Sequence, residues 1–394
     1  MAQALAQISA VVMMNIRSLP QRVWMSLATL IAIAIVVAVL LAFLAMANGF
    51  KQTVKGTGSQ DIGVVLRQGS QAELNSVLLG DVVDIIETAP GIASDDNGPI
   101  VSGELYVIVD GKRKSTGREV NLPLRGLDLK GIALRDNIEI IEGRAFTPGT
   151  NELMVGESVL MEFDGFELDK TIRLNNIEWK VVGVFSAGGS VFGSELWADA
   201  KTIQSQFNRG NSVQVMRVKL ETPGDIQPLK DFFANDPRTN LDVFVENDYY
   251  AQQSQGMSDL IFYLGWPLAI AMAIGALAGA LNTMYTSVSQ RATEIATLRA
   301  IGFSGFSAFC GTLAEALVLS VIGGLIGGLA AFLLFDGITA STLGGSFTQI
   351  VFDFEISAAG FLHAIQLALV IGFIGGFFPA LRAARLPVVV AFKV

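Results

Sequence analysis

Gln290-Arg291-Ala292-Thr293-Glu294-Ile295-Ala296-Thr297-Leu298-Arg299-Ala300-Ile301-Gly302 is a short charged interruption between two long apolar runs. Its guanidinium and carboxylate groups suit polar contacts across an interface, and its aliphatic residues suit packing. Arg291 and Glu294 stand three apart, a neighbour spacing on a helix, so they can equally pair with each other. Residues able to do covalent chemistry are scarce. Cys310 is the single cysteine, which leaves no intramolecular disulfide and no thiol–metal cluster. His363 is the single histidine, so zinc-hydrolase and Ser-His-Asp readings fail on inventory, and no metal or catalytic site is assigned. No G-x-x-x-x-G-K-[ST] phosphate loop occurs in the sequence. Gly56-Thr57-Gly58 and Gly188-Gly189-Ser190 read as linker or turn. No basic–aromatic surface points to nucleic acid.

The elements that would position the charged stretch belong to a membrane. Hydrophobic residues make up 51% of the 394 residues and charged residues 16%, with mean hydropathy +0.51, above the usual soluble range. Residues 23–50, 260–290, 316–335 and 356–381 contain no Asp, Glu, Lys or Arg. About 20 helical residues cross a hydrocarbon core of about 30 Å, so each run can span the bilayer. The reading is an α-helical membrane protein with four transmembrane helices and a large α+β extracytoplasmic domain inserted between the first and second. Its expected segments are an interfacial helix over 1–22, spans over 23–50, 260–290, 305–335 and 356–381, and a domain with stalk over 51–259. Residues 290–304 form the charged connection, 336–355 an outer loop and 382–394 a tail.

Charge sets the orientation. Lys51–Asp259 holds 20 Lys+Arg and 31 Asp+Glu, a net charge of −11. The basic residues elsewhere are Arg17, Arg22, Arg291, Arg299, Arg382, Arg385 and Lys393, all flanking spans on the side of the N-terminus. The positive-inside bias then places both termini and the 290s in the cytoplasm and the acidic block outside. Leu5, Ile8, Val11, Val12 and Ile16 recur at helical spacing, with Gln7, Asn15 and Arg17 between them, before Pro20 breaks the helix. In the outer block, 72–89 reads as a helix, and 199–207 and 228–234 as short helices. Strands are expected at 104–110, 179–185, 213–220 and 241–246, with turns at Asp110-Gly111 and Pro148-Gly149. Asn247–Asp259 is polar and helix-compatible and continues into the second span.

Within the spans, Gly275/Gly279, Gly323/Gly327, Gly324/Gly328 and Gly372/Gly376 lie four apart, a spacing that lets helix backbones approach and favours packing and dimerisation. Glu315 falls about ten residues into the third span, where a lone carboxylate is costly, so a partner or polar cavity is expected. The alternative, an acid near the inner end of the helix, stays open.

Arg291 through Gly302 resembles the pattern of the MacB/FtsX family of ABC transporter permeases, and so does the ending Pro379-Ala380-Leu381-Arg382-Ala383-Ala384-Arg385-Leu386-Pro387. Gly143-Arg144-Ala145-Phe146 and Trp179-Lys180-Val181-Val182-Gly183-Val184-Phe185 resemble that family's periplasmic core domain. The resemblance implies an inner-membrane permease, not itself an enzyme, with a coupling helix in which Arg291, Glu294 and Arg299 make polar contacts and Ile295, Leu298, Ile301 and Gly302 complete the docking segment. It implies a separate ATPase subunit carrying ATP and Mg, with no cofactor on this chain. A second permease copy, a periplasmic adaptor and an outer-membrane channel follow from the same likeness. So does mechanotransmission that exports a hydrophobic or amphiphilic substrate. The alternative is an FtsX-like transducer that switches an extracytoplasmic hydrolase without transport.

Overall fold

The computed structural model describes residues 2–19, 23–96, 98–343 and 349–389. Pro20, Arg22 and Lys393, used above, lie outside them, as do parts of the 336–355 loop and the 382–394 tail. In chain order the elements are α1 (Ala2–Ser18), α2 (Val23–Lys55), β1 (Ile62–Arg67), α3 (Gly80–Glu87), β2 (Ser94–Asp95), β3 (Gly98–Pro99), β4 (Val101–Lys112), β5 (Glu119–Leu127), α4 (Leu129–Ala133), β6 (Glu139–Gly143), β7 (Glu152–Gly156), α5 (Glu157–Glu162), β8 (Thr171–Leu174) and β9 (Ile177–Ser186). There follow β10 (Leu196–Asp199), α6 (Ala200–Gln206), β11 (Val215–Lys219), α7 (Gln227–Asn235), β12 (Leu241–Val245), α8 (Glu246–Gln290), α9 (Ala292–Ala300), α10 (Gly305–Phe335), β13 (Thr339–Leu343), β14 (Gln349–Asp353) and α11 (Ala358–Ala384). They form two compact units, one of residues 1–48, 259–338 and 354–394, the other of 49–258 and 339–353.

In the first unit, the segments Ser26–Lys55, Asp259–Gln290, Gly305–Phe335 and Ala358–Ala384 are long and apolar enough to cross a membrane. Their contact faces combine large and small residues. Ile33, Val36, Val37, Leu40 and Leu41 of α2 pack against Ala269 and Ala276 of α8, Ala331 of α10 and Ala364, Ala368 and Ile371 of α11. Ser304 and Ser357 start α10 and α11 by accepting from the backbone N–H of Ser307 and Gly360, so one orphan donor at each helix entry is relieved. α8 is one helix of 45 residues, so the polar stretch 247–259 and the second span are continuous.

The second unit is a ten-stranded sheet in the order β12-β1-β11-β4-β5-β10-β7-β9-β6, with β8 added to β9. Neighbours run antiparallel except β5–β10 and β7–β9. β4 joins two lobes. Its residues Val101–Glu104 pair with β11, and Leu105–Lys112 pair with β5. One lobe closes over Ile86, Val218, Leu229 and Phe233, where α3 and α7 cover β1, β11 and β12. The other closes over Leu124, Leu153, Phe163, Trp179 and Ile203, where α5 and α6 cover the remaining strands.

Three expectations change. The helix expected over 72–89 survives only at Gly80–Glu87, because Leu78 exchanges backbone hydrogen bonds with Val213 and Ser76 Oγ accepts from the Arg67 N–H. Asp110-Gly111 is not a turn but part of β4, paired with Asn121 and Val120. Gly111 is needed there for close approach, since a Cβ would lie 2.8 Å from Leu122 Cγ. The 336–355 segment contains a hairpin of β13 and β14. Val351 N–H donates to Ser194 Oγ at 3.0 Å, and Phe352 meets Phe50 edge-on with ring centroids 5.5 Å apart, which makes the hairpin part of the second unit.

Candidate functional site

The charged stretch folds as α9, entered by a one-residue break at Arg291 and closed by a Schellman turn. Gly302 N–H donates to Arg299 O and Phe303 N–H to Leu298 O, with Gly302 at φ +106°, a left-handed conformation costly for any residue with a Cβ. Gly302 therefore ends the helix; its role is conformational. Gln7 of α1 braces the same turn, donating from Nε2 to Gly302 O at 3.3 Å and accepting from Ser304 N–H at 3.4 Å.

Arg291 turns inward. The side chain is buried, and its Nη1 donates to Glu315 Oε2 at 3.1 Å, its Nε to Glu294 Oε2 at 3.2 Å, and its Nη2 to Asn15 Oδ1. Glu315 thus has a charged partner in a buried pair. The expected Arg291–Glu294 neighbour bond is also present. Arg299 is half-buried and its Nη1 donates to Leu386 O, just past α11. Ile295 is buried beside Val288 and Ala383, and Leu298 is half-buried. The polar and apolar groups expected to meet a partner at 291, 295, 298 and 299 are instead largely spent inside the chain.

The outward face is the complementary stripe. Thr293, Glu294, Thr297 and Ile301 are exposed, Ile301 at 69%. They recur at the three- and four-residue spacing of one helix face. Between α1 and this break, Met13, Met14, Arg17, Arg291 and Glu294 line an open groove of about 530 Å³. Asn15 is the participant sequence reasoning passed over as a spacer. Val11 shares its face and is buried against Gly311, where a Cβ would lie 2.7 Å from Val11 Cγ1, so α1 packs on α10. Leu5 and Met13 remain exposed on its other side.

The glycine pairs separate by partner. Gly323 and Gly327 face α2, where a Cβ on Gly323 would lie 3.1 Å from Leu30 O and one on Gly327 2.8 Å from Ala34 Cα. Gly324 and Gly328 face Ala368 and Phe361 of α11, and Gly372 and Gly376 face Ala316 and Leu313 of α10. Gly275 and Gly279 differ. Among the described residues, no heavy atom lies within 4 Å of an ideal Cβ on either, and both are exposed on α8. His363 is exposed and Cys310 half-buried, and among the described residues no cluster of His, Cys, Asp or Glu could hold a metal.

The model of the MacB-like periplasmic core domain matches residues 26–233, more than half of the chain, and that of the FtsX-like permease C-terminal region matches 267–388. YvrN of Bacillus subtilis, described as an uncharacterized ABC transporter permease, is 26% identical over 93% of this chain and 95% of its own length. The macrolide export ATP-binding/permease protein MacB of Bdellovibrio bacteriovorus is 24% identical over 93% of this chain. The chain spans 58% of that relative's length. The solved periplasmic region of MacB from Actinobacillus actinomycetemcomitans is 14% identical, covering 50% of this chain and 94% of its own, with a TM-score of 0.38, too low to carry an argument.

Proposed function

The chain belongs to the MacB/FtsX family of ABC transporter permeases, and from that premise we propose that α9 is the element on which an ATP-binding partner acts. The observation that carries this is the division of α9 into two stripes. One is fixed to α1, α10 and the end of α11 through Asn15, Glu315 and the Leu386 carbonyl; the other is exposed along Thr293, Glu294, Thr297 and Ile301. A segment fixed to several helices and exposed on its far face moves those helices when it is pushed. ATP and Mg²⁺ bind on the partner, hydrolysis supplies the push, and the extracytoplasmic unit changes shape in response. Relatives named for macrolide export support outward movement of a hydrophobic or amphiphilic substrate. The bare Gly275/Gly279 face supports pairing with a second copy of the chain, since small residues let helix backbones approach.

Thr297→Arg combined with Ile301→Asp is expected to cut stimulation of the partner's ATPase about tenfold or more while the chain keeps its melting temperature. Both residues are exposed, so a fold defect is not the expected route. Stimulation at the parental level would overturn the docking face.

Orientation in the inner membrane, termini in the cytoplasm, is supported by the basic residues at the ends of α1, α9 and α11. In a Cys310→Ala background, a membrane-impermeant maleimide is expected to label Ser115→Cys on the exposed β4–β5 connection of intact cells. It should reach Ser289→Cys only after permeabilisation. The opposite pattern reverses the topology.

A further inference from the structure

Both helices that enter the extracytoplasmic unit end on one carboxylate. α2 finishes at Lys55, and after a turn Ser59 N–H donates to Glu246 Oε2 at 3.2 Å, while Asn247 N–H donates back to Ser59 O at 3.3 Å. Glu246 is the first residue of α8. The two strands of chain cross so closely that a Cβ on Gly58 would lie 2.5 Å from Asn247 Cα. Glu246 Oε1 in turn accepts from Arg217 Nε at 2.9 Å. Tyr250 Oη, one turn further along α8, accepts from Arg217 Nη2 at 2.9 Å, and Tyr249 Oη accepts from the Glu73 N–H at 3.1 Å.

Arg217 stands on β11 in one lobe, and its charge is relayed into the other. Its Nη1 meets Glu104 and its Nη2 meets Glu73 at 2.8 Å. Arg125 of β5 holds the same two carboxylates at 2.8 and 2.6 Å and adds a two-pronged pair with Glu195, both bonds 2.7 Å. Arg135 also reaches Glu104, at 2.8 Å. Glu104 is the β4 residue at which pairing passes from β11 to β5, so the cluster sits where one lobe becomes the other. Its side chain is fully buried, and so is that of Arg217. Burial pushes the Glu104 carboxyl up, but the guanidiniums of Arg135, Arg217 and Arg125 more than offset it and hold the group at about 2, so it is ionised. A buried ionic cluster adds little net stability over apolar residues of the same volume, because desolvation offsets the attraction. What directional ionic contacts do supply is one fixed geometry between the groups they join.

We propose that Glu246, through Arg217 and the Glu104–Glu73–Arg125 cluster, is the joint that converts movement of α2 and α8 into movement of one lobe against the other. Glu246 acts through Arg217 and is a positioning residue. This rests on the reading that α9 receives ATP-driven motion.

The test uses the full chain with its ATPase in lipid nanodiscs, Cys310→Ala background, spin-labelled at Thr88→Cys in the first lobe and Met161→Cys in the second, both exposed. Pulsed electron paramagnetic resonance measures the distance between them with and without ATP and vanadate. The parental pair is expected to shift on ATP trapping. Glu246→Gln should lose most of that shift while keeping ATPase stimulation, and Glu246→Asp should restore it in part. A full shift in Glu246→Gln overturns the joint. So does a parental pair that never shifts while stimulation is intact, and that result leaves the reading of α9 standing. Absence of stimulation in the parental chain fails that reading, and the joint with it.

Discussion

Arg291→Ala is expected to destabilise the chain by about 3–5 kcal/mol, the cost of leaving a buried charge without its partner. The guanidinium is buried and serves Glu315, Asn15 and Glu294 at once. Its removal strands the Glu315 carboxylate between α9 and α10, and also withdraws the contact that fixes the start of α9 to α1. The double variant Arg291→Met with Glu315→Gln should recover most of the loss, because neither replacement carries a charge to bury. Thermal unfolding in detergent, run as a double-mutant cycle, measures both. A single variant within about 0.5 kcal/mol of the parent, as ordinary surface changes are, would show that the pair is not buried in the working protein. The two experiments on α9 separate cleanly. Thr297→Arg with Ile301→Asp should cut coupling about tenfold or more at unchanged stability, whereas Arg291→Ala should lose both.

The four spans were legible because a bilayer imposes a length and forbids unpaired charge, and both constraints are written in consecutive residues. Glu315 was legible as a problem for the same reason, though nothing in its neighbourhood named Arg291 as the answer, 24 positions away. α9 was legible as a helix between two spans, though not which of its side chains turn back into the chain. Arg291, Ile295, Leu298 and Arg299 fall on one stripe at four- and three-residue spacing, and Glu294, Thr297 and Ile301 on the other. That periodicity was available; reading charge as outward-facing hid it. The cluster around Arg217 had no comparable signal. Glu104 and Arg217 meet across 113 positions, each on a strand where a charge reads as a solvated side chain. Asp110-Gly111 misled for a local reason, since turn chemistry and close approach both ask for glycine. Only the packing against Leu122 tells which applies.

The glycines yield a prediction in which the same substitution has opposite consequences at two places. Gly327→Leu should destabilise the helix bundle by about 3 kcal/mol or more, at the upper end of overpacking costs. The new Cβ would overlap backbone atoms of Ala34, Cα at 2.8 Å and C at 2.9 Å, and backbone within a packed helix cannot rotate aside as a side chain can. α2 and α10 would have to separate along their contact. A Cβ at Gly275 or Gly279 meets no described atom within 4 Å outside its own helix backbone, so with leucine at both the melting temperature of the monomer should hold, and helix propensity even favours leucine over glycine. If that face meets a second copy, four bulky methyl groups per protomer will hold two α8 backbones apart and shift the population toward monomer, read by native mass spectrometry from detergent. A dimer that survives the double leucine variant unchanged would remove α8 from the interface. A Gly327→Leu chain that melts like the parent would mean that α2 and α10 do not approach as closely as the glycine spacing permits.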